Sequence, residues 1–386
     1  MKLGIDILIK SHMELLLGKR VGILSNCTAT DSNGGKTLDL LRRQPEINLT
    51  AIFGPEHGID LSAQDMESVD SSREEEIPIF SLYGDSINSL SPTSQMLDII
   101  DVLVIDLQDI GSRYYTYVWT AMLCLKACKE AGKDVIICDR PNPLGGVDIE
   151  GPDIESGYES FVGLFSIPNR HGMTIGEIVH FLNGREGIDA NLQIVKMEGW
   201  KRNMHWPDTG LAWLNPSPNM RSYEAALLYP GMCLIEGTNL SEGRGTDEPF
   251  ELIGSPFIDS KKLCAELNAL NLEGVSISPE TFTPIRQKWA NKKCEGIRWK
   301  IKNPKKIKPY KNGLALIWLV NKLYGKSGFE WRTEVYEFVK DKPAIDLLTG
   351  SDYFRTHIDD LTFEQLDEIS IADEKTVSTI QNNFLY

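Results

Sequence analysis

The 386-residue chain predicts an α/β fold, a parallel sheet flanked by helices on both faces and followed by a second, smaller α+β domain. Three observations point there. Apolar, β-branched runs recur through the first half without in-out alternation, as strands buried on both faces require. Helical patterns lie between several of them. After residue 226 that rhythm weakens, which divides the chain into an expected 1–226 and a smaller 227–386 that contributes to the cleft.

In order, the runs are "RVGILSN" (20–26), "LTAIFGPEHG" (49–58), "IPIFSLYG" (77–84), "DVLVIDLQDIG" (101–111), "DVIICDRPNP" (134–143) and "LQIVKMEG" (192–199). The clearest helical pattern is 114–133, "YYTYVWTAMLCLKACKEAGK", which ends in a Gly-Lys stop. Another, "TIGEIVHFLNGREG", opens with Thr174 and Glu177 at capping-box spacing. The acidic stretch 60–76 has no period and reads as a loop or short surface helix, either a solvated insertion or a lid. In 286–311 eleven Lys and Arg stand against one Glu, and Ile297, Trp299 and Ile301 alternate with charged neighbours, the pattern of a protected edge strand. The tail from 313 reads as helices with polar connectors.

Forty Lys and Arg against 55 Asp and Glu give a net charge of −15, which opposes binding to nucleic acid or to an anionic membrane. No stretch reaches the ~18 apolar residues of a spanning helix. The first twenty residues lack the uninterrupted core of a signal peptide, so the chain as written is expected in the cytoplasm, and in the periplasm or outside the cell if a leader has been removed. Seven cysteines without CxxC pairs read as reduced, buried thiols. Six histidines without ligand spacing argue against a zinc site, and no metal or cofactor is expected.

Ligands of an open parallel sheet bind beyond the carboxyl ends of its strands. Asn26 follows the first run, Glu56 and His57 the second, Asp106, Gln108, Asp109 and Arg113 the fourth, and Asp139, Arg140 and Asn142 the fifth. These four exits are expected to meet in one crevice. Glu56, framed by Phe53 and Pro55, stands where dehydration favours the protonated form that a general acid needs. Arg170 and His171 precede a capped helix, Asn219 lies in the proline-stiffened "NPSPNM", and Glu236, Asn239, Glu242 and Arg244 crowd "CLIEGTNLSEGRG". A nucleotide is not expected, since G-x-G-x-x-G and Walker spacings are missing, and no G-x-S-x-G elbow suggests a serine hydrolase.

Taken together, "GKRVGILSN", "FGPEHGI", "DVLVIDLQDIGSRYYTY", "DRPNPLGG", "SFVGLFSIPNRHGMTIGE", "NPSPNM" and "YPGMCLIEGTNLSEGRGT" resemble the NamZ-type exo-β-N-acetylmuramidases. The resemblance implies a Rossmann-like N-terminal domain without a dinucleotide, and release of N-acetylmuramic acid from non-reducing ends of peptidoglycan fragments. It also implies that Glu56 is the catalytic residue. One departure is "IDLSAQDMESVD" after the motif, where an Arg-Gly pair is usual. Glycoside hydrolysis needs a second group besides the acid. Asp106, Asp139, Glu236 and the sugar's own 2-acetamido oxygen are the candidates. The lactyl carboxylate should meet Arg140, Arg170 or Arg244. A protein that binds an anionic amino sugar without cleaving it, and a hydrolase of another bond in a related sugar, are the alternatives.

Overall fold

The computed structural model describes residues 1–60, 67, 72–74, 77–383 and 385–386, so most of the acidic stretch 60–76, with its reading as an insertion or a lid, lies outside the described residues. The described residues form ten strands: β1 Arg20–Ser25, β2 Asn48–Gly54, β3 Ser72–Glu74, β4 Ile77–Ser81, β5 Val102–Asp106, β6 Asp134–Cys138, β7 Leu192–Val195, β8 Leu252–Ser255, β9 Val275–Phe282 and β10 Cys294–Ile301. The first seven form one sheet in the order β3-β4-β2-β1-β5-β6-β7. Every neighbouring pair in it is parallel except β3 with β4. Each continuous apolar run of the first half has become one of these parallel strands.

Alternate residues of each strand enter different cores. Val21, Ile23, Val102, Val104 and Ile136 pack with the first helix, Gly4–Ser11, through Ile5 and Leu8. Leu24, Leu103, Ile105, Val135 and Ile137 join a much larger core. That second core continues into the C-terminal half through Leu227, Leu228, Trp299, Leu316 and Leu348. Residue 226 itself lies within the buried helix Tyr223–Met232, so the two halves are joined through shared packing rather than by an exposed linker.

The smaller sheet is antiparallel, in the order β8-β10-β9. Here the expected edge strand is corrected: β10 is central, with Ile297 and Trp299 buried and Arg298 on the other face between Glu248 and Glu280. Arg298 is thus neutralised by partners instead of guarding an edge. The helices Pro309–Tyr324, Ala344–Thr349, Tyr353–His357, Phe363–Ser370 and Glu374–Asn383 make up the tail. All seven cysteines are free thiols, six of them buried. Among the described residues no helix is long and apolar enough to cross a membrane.

Candidate active site

The order of the six parallel strands, with β1 and β5 at the centre and the chain progressing outward on either side, puts the topological switch point between β1 and β5. Dinucleotides occupy that crevice in sheets of this order. Here it is filled by the protein's own charges. Arg140 donates from Nε to Asp106 Oδ1 at 2.5 Å and from Nη2 to Oδ2 at 2.9 Å, and Thr37 Oγ1 donates to Oδ2 at 2.5 Å. Asp106 is fully buried, and the remaining reach of Arg140 goes to the Thr30 carbonyl at 2.7 Å.

The cavity lies beside this point, over the turn that follows β2. Pro55 accepts from Gly58 N at 3.0 Å, and His57 and Gly58 both adopt positive φ, 68° and 76°. The left-handed pair reverses the chain at once and turns Glu56 inward, where it is 4% exposed. Thr116 Oγ1 lies 2.5 Å from Glu56 Oε2, and His57 Nε2 lies 3.8 Å from Oε1. Thr116 is the N-cap of the helix Tyr117–Glu130, so the carboxyl group sits at the positive end of a 14-residue helix.

The helical pattern read from 114 onward thus begins three residues later. Tyr114, Tyr115 and Thr116 leave the helix to line the cavity. The hydroxyls of Tyr114 and Tyr115 are buried, the first beside Asn169 and the second beside Ser217 and Tyr117. Burial pushes both phenols up, so each stays protonated and able to donate. Tyr115 and Phe250 each meet the Tyr229 ring edge-on, with centroids 6.1 and 4.9 Å away, an aromatic floor for the site.

The C-terminal half supplies the other wall. Arg244 Nη2 donates to Glu236 Oε1 at 2.5 Å, and its Nε lies 3.3 Å from Glu242 Oε1. Tyr336 donates to Glu236 Oε2 at 2.8 Å, and Lys288 Nζ reaches Glu242 Oε2 at 3.1 Å. Burial works to raise the Glu236 carboxyl, but Arg244, Tyr336 and Lys288 together hold it below its ordinary value. Asn219, Ser217 and Glu337 complete the lining. The cleft spans about 430 Å³ up to its open mouth, of which about 30 Å³ admits water-sized groups.

Of the residues expected from sequence, Glu56, His57, Asn219, Glu236 and Arg244 come together here. The four strand exits do not converge in one crevice, because the polar groups beyond β1, β5 and β6 bind one another and nearby backbone. Asn26 donates to the Tyr117 hydroxyl at 3.1 Å, which in turn donates to Pro216 O at 2.6 Å, so Asn26 supports the loop that carries Asn219. Asp139 accepts from Thr174 Oγ1 and Gly176 N, at 2.6 and 2.9 Å. Gln108 reaches Pro141 O at 2.9 Å, and Asn142 reaches Met173 O at 2.8 Å. Arg113 points into the backbone, onto the carbonyls of Pro152, Ile167 and Leu348. Arg170 is bound to Glu150 at 2.8 Å and Asp148 at 3.3 Å, and His171 Nε2 lies 3.4 Å from Asp109. Asn239 joins the chain at Gly328 O and Glu330 N, at 2.6 and 3.1 Å.

Sequence reading missed Tyr114, Tyr115, Thr116, Tyr229, Tyr336 and Glu337. The first three were hidden by aromatic residues that suit a helix interior equally well. Among the described residues no group of three or more His, Cys, Asp or Glu is placed to hold a metal ion.

Residues 21–224 match the family model described as "Exo-beta-N-acetylmuramidase NamZ, N-terminal", and residues 227–385 match its C-terminal counterpart. The chain belongs to the NamZ family. The peptidoglycan β-N-acetylmuramidase NamZ of Bacillus subtilis (strain 168) is 42% identical over 376 residues, 97% of this chain and 87% of that protein. Two DUF1343 family proteins of Bacteroides fragilis NCTC 9343 share the fold along the whole chain and over 98% of their own lengths. They have TM-scores of 0.86 and 0.75 at 33% and 27% identity. Both NamZ regions build the cavity: the N-terminal one brings Glu56, Thr116 and Asn219, the C-terminal one Glu236, Arg244 and Glu337.

Proposed function

We propose that the protein is a glycoside hydrolase that releases N-acetylmuramic acid from the non-reducing ends of peptidoglycan fragments, with Glu56 as general acid. The observation that carries the assignment of Glu56 is its burial in a cavity at the carboxyl edge of the sheet, beside a helix N-terminus and two buried tyrosines. A carboxyl group so enclosed is within reach of a glycosidic oxygen held in the cleft, and the phenols offer donors to the sugar's hydroxyl and acetamido oxygens. Kinship with the B. subtilis muramidase supports the substrate class.

All three arginines considered for the lactyl carboxylate are paired with buried carboxylates, but Arg244 lines the cavity, whereas Arg140 and Arg170 do not. We assign the lactyl contact to Arg244. The room in the unliganded cleft is smaller than a sugar ring, so substrate entering by the open mouth must part its walls.

The test is a disaccharide of N-acetylmuramic acid linked to N-acetylglucosamine. Glu56→Gln should lower kcat about 10²-fold to 10⁴-fold, the usual contribution of general acid catalysis, while a nitrophenyl leaving group should restore part of the loss. Turnover within about tenfold of wild type would remove Glu56 from the role. Tight binding of the disaccharide with no sugar released, in wild type and variant alike, would make the protein a binder instead. The mass of the product distinguishes cleavage of any other bond.

A further inference from the structure

We propose that Lys288 is a positioning residue of this site, which neutralises Glu242 and so leaves Arg244 the charge that selects a carboxylate-bearing sugar. The role deepens the assignment of the lactyl contact to Arg244 and rests on it. Arg244 faces two buried carboxylates, Glu236 at 2.5 Å and Glu242 at 3.3 Å. One cation between two carboxylates leaves a negative charge uncovered, and that charge would repel an anionic ligand. Lys288 Nζ lies 3.1 Å from the far oxygen of Glu242. With it, two cations answer two carboxylates.

The ammonium group is built into the wall. It donates to Ile235 O at 2.9 Å, Leu240 O at 3.1 Å and Glu242 Oε2 at 3.1 Å, with Glu236 O at 3.4 Å as a further acceptor. Those carbonyls belong to the same segment as Glu236 and Glu242, so Lys288 fixes the backbone from which both carboxylates project. Its side chain is 22% exposed, whereas Lys292, Lys293, Lys300 and Lys302 of the same basic run are exposed. The loop between β9 and β10 presents it, with Gln287 and Trp289 on either side at φ of 63° and 60°. Trp289 Nε1 donates to Asn239 O at 2.6 Å, and Ile285 N donates to Gly245 O at 3.0 Å. The loop thereby grips the segment 239–245 at both ends. Left-handed non-glycine residues persist only where surrounding structure holds them, and they cluster at functional sites.

Direction and charge are thus supplied separately. Glu236 and Glu242 aim the guanidinium, and Lys288 cancels the charge that the second of them would take from it. An arriving carboxylate then meets a cluster in which these four groups balance. A sugar with an ester in place of the acid gains nothing from that balance, so Lys288 acts on selectivity and not on bond breaking. Loss of a contact made equally in the ground and transition states raises KM and leaves kcat alone.

The test compares the nitrophenyl β-glycoside of N-acetylmuramic acid with its lactyl methyl ester. Lys288→Met should raise KM for the acid about tenfold or more, while kcat, and KM for the ester, stay within about threefold of wild type. Glu242→Gln, which removes the charge that Lys288 answers, should lower KM for the acid. Lys288→Met combined with Glu242→Gln should bring it back to within about threefold of wild type, because charge balance is restored. Equal losses on acid and ester in Lys288→Met, or a double variant no better than Lys288→Met, would overturn the role. If Lys288→Met does not fold, Glu242→Gln decides alone, and a raised KM for the acid overturns the role. Arg244→Met separates this role from the reading beneath it. Acid and ester impaired alike in Arg244→Met would defeat the lactyl contact and the role of Lys288 with it. Acid-selective loss in Arg244→Met but not in Lys288→Met would defeat the role of Lys288 alone.

Discussion

Asp139, at the carboxyl end of β6, accepts hydrogen bonds from Thr174, Gly176, Arg140 N and the Tyr386 hydroxyl. Burial nevertheless dominates over the Thr174, Tyr386 and Gly176 donors and pushes its carboxyl up to about 6. An unfolded aspartate titrates near 3.9, so between these values the native state holds a proton that the unfolded chain has lost. Stability from this group is full below about pH 4 and falls as pH rises to 6, by roughly 3 kcal/mol in all. Urea titrations across pH 4 to 7 should show that decline in wild type, and Asp139→Asn should flatten it. At this scale the sequence was a partial guide. It picked out titratable side chains at strand ends, because polar exits from apolar runs are visible in one dimension. Which exits face a cavity and which bind one another depends on neighbours far along the chain: Asp106 meets Arg140 across 34 residues, whereas Glu56 meets Thr116 across 60.

Elements that carry the site depend on close backbone approach. The helix Tyr223–Met232, which brings Tyr229 to the cavity, crosses Pro309–Tyr324 at Gly231 and Gly313. A Cβ on Gly313 would stand 2.2 Å from Gly231 O, a backbone atom with little freedom to move. Gly313→Ala should therefore cost at least the 1–3 kcal/mol typical of overpacking, seen as a lower denaturation midpoint, and should reduce activity by displacing Tyr229. The parallel strands were legible because each is a continuous apolar run, and the Thr174 cap because its box is local and forms as expected. The turn at Glu337 was not. "YEFV" carries none of the Asn, Asp or Gly signals of a hairpin, and contacts with residues far along the chain, Phe338 on Tyr83 among them, hold it in the left-handed region.

For the molecule as a whole, Arg113 is a fastening between the halves. It is 1% exposed and gives hydrogen bonds to Pro152 O and Ile167 O, at 2.6 and 2.8 Å, and across to Leu348 O at 2.9 Å. Burial lowers the guanidinium pKa from its usual value, since charge without water is disfavoured. Arg113→Met would strand three buried carbonyls at about 1–3 kcal/mol each, so denaturation should show a loss of roughly 3 kcal/mol or more. A midpoint unchanged within error would mean that water replaces the guanidinium. The α/β plan could be read from the first half's rhythm, but the merging of both halves into one large core could not, because periodicity marks which face is buried and not what buries it.

The ion pair between Asp106 and Arg140 occupies the place where sheets of this strand order hold a pyrophosphate. The fold therefore carries a carboxylate of its own where other such sheets take a phosphate, with the cation already installed. Asp106→Ala would vacate the anionic half and leave Arg140 facing an empty notch, and added phosphate should then raise the variant's melting temperature while leaving wild type unmoved.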